Sequence, residues 1–116
     1  MKTLQKLGIV FLFLATFSIF NAQNTKTETA KVFGNCGMCK SRIEKAAKEI
    51  PSVTANWDKK TKILSFTYDP NKTSRAEILK KIAAAGHDNE LYLAKDEDYD
   101  DLPGCCQYER KENQKN

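Results

Sequence analysis

The sequence predicts an α+β domain of element order β-α-β-β-α-β, a four-stranded antiparallel sheet with two helices on one face. Two segments carry apolar residues at steps of three and four, as buried helix faces do. Between them lie two short segments that alternate apolar and polar residues and are joined by a polar turn. Pro and Gly stand where each pattern stops.

The elements follow in order along the chain. Thr29 to Phe33 reads as a first strand, with Gly34 closing it. Cys39, Ile43, Ala46, Ala47 and Ile50 form one helical face, opposite most of Lys40, Arg42, Glu44, Lys45, Lys48 and Glu49, and Pro51 ends the helix. Val53, Ala55 and Trp57 alternate with Thr54 and Asn56, and Leu64, Phe66 and Tyr68 alternate with Ser65 and Thr67 beyond the turn Asp58-Lys59-Lys60-Thr61. Ser74 and Glu77 have capping-box spacing. Ile78, Leu79, Ile82, Ala83 and Ala85 make the stripe of a second helix, with Gly86 as its C-terminal stop. Glu90 to Ala94 is expected to form the last strand. This order is the split βαβ, ferredoxin-like pattern.

The flanks have different compositions. Lys2 and Lys6 precede an apolar run of about fourteen residues, Leu7 to Phe20, which has signal-peptide length and is short for a membrane span. Cleavage near Ala22 is expected, delivering a periplasmic or secreted protein; a retained N-terminal anchor is the alternative. The expected division is 1–22 signal peptide, 23–27 linker, 28–94 folded domain and 95–116 tail. The tail combines an acidic run around Tyr99 with Cys105-Cys106, and little regular structure is expected in it. Removing residues 1–22 takes away two lysines and no acid, which lowers the formal charge from +4 to +2. So small a charge, with no basic stripe interleaved with aromatics, argues against a nucleic-acid partner.

The chemistry concentrates in Asn35-Cys36-Gly37-Met38-Cys39, where the first strand gives way to the first helix. Two thiols spaced CxxC at a helix start lie side by side near backbone N–H groups that favour thiolate. Such a pair either grips a soft metal ion or cycles between dithiol and disulfide. With the element order around it, the motif resembles that of the heavy-metal-associated (HMA) domain. That family includes copper chaperones, metal-pump N-terminal domains and periplasmic mercuric-ion-binding proteins. The resemblance covers roughly residues 27–94 and rests on the CxxC, the Ile43/Ala47/Ile50 helix, Leu64 to Pro70, and Ile78 to Gly86. It implies that Cys36 and Cys39 are the metal ligands. The family commonly carries Met two residues before its first cysteine, where this chain has Gly34; Met38 is read as a packing residue.

Two thiolates on a short loop suit Cu(I), with Ag(I) and Hg(II) chemically similar, whereas Zn(II) and Cd(II) would want four ligands. Cys105 and Cys106 are auxiliary candidates. From Ala94 the chain can extend about 35 Å, enough to return to the loop as ligands. Disulfide pairing with Cys36/Cys39 and a link to a second chain are the alternatives. His87 precedes the last expected strand, near the CxxC end of the sheet, as an auxiliary ligand or hydrogen-bond donor; an exposed loop histidine is the plainer reading. The function expected is non-enzymatic: an exported protein that sequesters a soft ion or transfers it to a metal-exporting P-type ATPase or another envelope carrier. A thiol–disulfide oxidoreductase using the same CxxC is the rival, and a disulfide-linked structural module is a third reading.

Overall fold

The computed structural model describes residues 24–110. The expected signal segment and its cleavage site lie outside the described residues, among which no helix is long and apolar enough to cross a membrane.

Strand β1 spans Lys26–Lys31 and pairs antiparallel with β3, Ile63–Tyr68, which pairs in turn with β2, Thr54–Trp57. The sheet order is β1-β3-β2. β1 begins inside the stretch expected to be linker, because the alternation of β3 runs to Tyr68 and offers partners to Lys26 and Thr27. The hydroxyls of Thr27 and Thr67, paired across the strands, lie 2.8 Å apart. Leu64, Phe66 and Tyr68 turn their side chains into the core on one face of β3.

Helix α1, Gly37–Lys48, buries Cys39, Ile43, Ala46 and Ala47, the stripe its sequence period predicts. Helix α2, Arg75–Ala84, buries Ile78, Leu79, Ile82 and Ala83 and packs against α1. Its start carries the expected cap, the Glu77 backbone N–H donating to Ser74 Oγ at 3.2 Å. Its end is a Schellman turn. Gly86 N–H donates to Ala83 O and His87 N–H to Ile82 O, with Gly86 at φ +105°.

The last strand expected at Glu90–Ala94 does not form. Among the described residues, a single bridge, Val32 to Asn89, occupies the place beside β1. Side chains take the backbone groups that a strand would need. Asn89 Oδ1 accepts from the N–H groups of Leu91 and Tyr92, and Asp88 Oδ1 accepts from Ala94 N–H at 2.7 Å. Asx side chains that capture nearby N–H groups favour turns over ladders. Leu91 and Leu93, in the middle of the expected strand, are exposed.

The tail departs from expectation in the opposite sense. Asp96–Asp100 forms a short helix, α3, with Asp96, Glu97 and Asp98 in its first turn, where the helix dipole favours acids. Gly104–Cys106 forms a 3₁₀ turn. Leu102, Cys106 and Tyr108 are buried and join the core. A Cβ on Gly86 would stand 2.7 Å from Asp98 O and 2.9 Å from Leu102 Cδ2, so this glycine serves both the turn and the docking of the tail.

Candidate metal centre

Cys36 is the residue before the first turn of α1, and Cys39 lies one turn inside, facing the core. Their Sγ atoms are 3.5 Å apart. Two features steady the pair. Asn35 N–H donates to Cys39 Sγ at 3.3 Å. The Cys39 backbone N–H beside Cys36 Sγ does most to hold the Cys36 thiol down, at about 7, against the desolvation that would raise it.

Beneath the loop lies Trp57, fully buried, with its indole N–H donating to Val32 O at 2.9 Å. A Cβ on Gly34 would come within 3.0 Å of Cys39 Cβ and 3.1 Å of the Trp57 ring. Position 34 lacks room for a side chain because the indole already fills that space. Glu44 on α1 accepts from the Trp57 backbone N–H at 2.8 Å and pairs with Lys40, tying β2 to the helix that carries the thiols.

The tail brings a third sulfur to the same place. Cys106 Sγ is 3.9 Å from Cys36 Sγ, and the Sγ atoms of Cys36, Cys39 and Cys106 lie within 4.8 Å of one another. All four cysteines are free thiols. Burial, reinforced by Cys39 alongside, pushes the Cys106 thiol well above its ordinary range. Cys105 stands outside this group. It is exposed, with its Sγ 3.7 Å from Met38 Sδ, while its carbonyl accepts from the Cys36 thiol at 3.4 Å. Met38 is half exposed, so it does not pack the loop from within; Trp57 does.

His87 is neither exposed nor among the clustered sulfur ligands. Its Nδ1 lies 2.8 Å from Phe33 O, which can only accept, so Nδ1 carries the proton. Its Nε2 is buried without a hydrogen-bond partner among the described residues. Burial above all, with Arg42 adding to it, lowers the His87 pKa against the pull of Phe33 O and Asp88. The imidazole also stacks on Tyr108, centroids 5.8 Å apart. Because the folded-state value lies below the unfolded one, the unfolded chain binds the proton more readily. The neutral imidazole's contribution to stability is therefore complete above about pH 6.5 and falls away as the pH drops from there toward the folded-state value. Thermal unfolding of the metal-free protein should show this slope, and His87→Gln should flatten it.

The residues that dock the tail escape pattern reading because each looks ordinary alone. Tyr108 Oη accepts from Asp88 N–H at 2.7 Å and donates to Gly86 O at 2.9 Å. Arg110 grips Asp88 with Nε to Oδ2 at 2.8 Å and Nη2 to Oδ1 at 3.0 Å, and reaches Asp96 at 3.0 Å. The available signal was His87-Asp88-Asn89, three polar residues directly after a helix stop, together with apolar Leu102, Cys106 and Tyr108 in a polar tail.

Comparison with known proteins agrees with the geometry. Among solved structures, the water-soluble region of the P-type ATPase CopA from Bacillus subtilis is 34% identical, covering 59% of this chain and 46% of that one, TM-score 0.55. The chain thus spans less than half of that CopA region. A CopZ metallochaperone is 30% identical over 55% of this chain and 98% of its own, TM-score 0.53. Oxidized MerP from Ralstonia metallidurans CH34 is 29% identical over 58% and 96%, TM-score 0.54. No curated protein matches the chain. Residues 29–88, more than half of the sequence, match the heavy-metal-associated domain, and the chain belongs to that family.

Proposed function

We propose that the protein binds a soft d¹⁰ ion, Cu(I) first among them, through Cys36 and Cys39, and sequesters it or passes it on. The observation that carries this reading is the pair of free thiols 3.5 Å apart at the start of α1, with Cys36 only partly covered. Soft sulfur selects Cu(I), Ag(I) or Hg(II) over hard cations. A ligand set of sulfur alone, short of four thiols, suits Zn(II) and Cd(II) less well. Partial exposure lets an incoming thiolate add before a resident one leaves, so that the ion moves without being set free. No catalytic role is assigned to either cysteine.

Two further expectations rest on the same reading. The N-terminal run implies export to the periplasm or beyond. A P-type ATPase domain or another envelope carrier is the natural exchange partner, since the CopA region and CopZ share this fold. Dimerisation through a shared ion would appear as a metal-dependent change in mass.

Anaerobic titration of the reduced protein with Cu(I), against a chromophoric chelator, tests the proposal. Tight binding of one ion per chain is expected, with a loss of affinity on the order of a hundredfold or more in Cys36→Ser and in Cys39→Ser. Unchanged binding in both variants would overturn it. Insulin reduction by a protein that retains no metal would place the CxxC with the oxidoreductases instead.

A further inference from the structure

We infer that the C-terminal segment from Leu102 to Arg110 is a strap that supplies Cys106 as a third, preplaced thiol, making a three-sulfur site that retains its ion. The inference rests on the proposed binding at Cys36 and Cys39 and adds the coordination number to it.

Distances carry the first half. A linear two-sulfur site with bonds of about 2.3 Å places its sulfurs about 4.6 Å apart, and a trigonal one places them about 4.0 Å apart. Cys36 and Cys39 stand at 3.5 Å and Cys36 and Cys106 at 3.9 Å, with all three sulfurs inside 4.8 Å. The Cys36–Cys106 separation matches the trigonal value, and the CxxC pair, shorter than either, has less far to open for a trigonal site than for a linear one.

The second half is the way Cys106 is held. Its side chain is fully buried. Pro103 O accepts its N–H at 2.8 Å within the 3₁₀ turn. Two residues on, Tyr108 plugs Gly86 and Asp88, and Arg110 closes on a buried carboxylate. A thiol held on both sides by buried contacts needs little reordering to become a ligand, which is what preorganisation contributes to affinity. The neighbouring Cys105 lacks these restraints and faces solvent beside Met38.

When the ion enters, each of the three thiols forms one bond to it and gives its proton to solvent; no electron changes hands. A third bond must then break before the ion can leave, so an acceptor works against the strap as well as the CxxC.

X-ray absorption of the reduced, Cu(I)-loaded protein reads the sulfur count directly. Three sulfurs are expected in the wild type and two in Cys106→Ser, with Cys105→Ser retaining three. Transfer to a competing dithiol should be about tenfold faster from Cys106→Ser than from the wild type. Two sulfurs in the wild type would overturn the inference without any variant, and a loss in Cys105→Ser rather than Cys106→Ser would overturn the assignment. Either result would leave binding through Cys36 and Cys39 standing, whereas unchanged Cu(I) affinity in both Cys36→Ser and Cys39→Ser would remove the reading beneath it.

Discussion

Replacing Arg110 with alanine is expected to destabilise the protein by about 3–5 kcal/mol, because it strands a buried carboxylate. The Asp88 side chain is wholly shielded and that of Arg110 is 3% exposed, so water cannot stand in for the lost guanidinium. The pair is bidentate, a geometry that adds direction to attraction. Arg110 also donates to Ala94 O at 2.9 Å and lies over the Tyr99 ring, 4.9 Å from its centroid. The strap should therefore release first, and amide exchange at Cys106 and Tyr108 should quicken more than in the sheet. Adding Asp88→Asn should recover part of the loss, since it removes the uncompensated charge. Urea denaturation of the single and double variants checks this; equal stability of Arg110→Ala and the wild type would refute it.

Trp57→Ala should cost a similar amount, about 3–5 kcal/mol, through a cavity directly beneath the metal loop. The indole is 1% exposed, supports Gly34 and Cys39, and supplies the donor on Val32 O. Removing it takes the floor from under the thiols, so Cu(I) affinity should fall along with stability. Gly34→Met alone should also destabilise, since its side chain would collide with the ring. Together the two changes should offset one another in part, with methionine filling the vacated space, and a double-mutant cycle measures that coupling. Additive losses would show that the two positions do not share one space.

What could be read from the residues depended on whether a feature repeats. Ile43/Ala47 and Ile78/Ile82 reveal their helices because burial recurs with the helical period. Ser74 and Gly86 mark the ends of α2 through local backbone chemistry that needs no distant partner. Cys36 and Cys39 are legible because spacing and element order together bring them to one place. The segment Glu90–Ala94 misleads because its short apolar run has the composition of a strand, while the competing Asp88 and Asn89 side chains act from outside the window. Cys106 is legible as a candidate but not as a placed thiol. Its position depends on Tyr108 and Arg110 meeting Gly86 and Asp88 across about twenty residues of chain, and no periodicity encodes such meetings.

The approach of Cys36 to Cys106 joins points 70 residues apart, nearly the two ends of the described chain. Any linkage there, through an ion or directly between sulfurs, turns an open thread into a large ring and takes freedom from the unfolded ensemble. By the entropy of ring closure such a link is worth about 4 kcal/mol, far more than one confined to the four-residue CxxC. Cargo and endurance are thus coupled: a loaded molecule should survive heat and protease that dismantle an empty one.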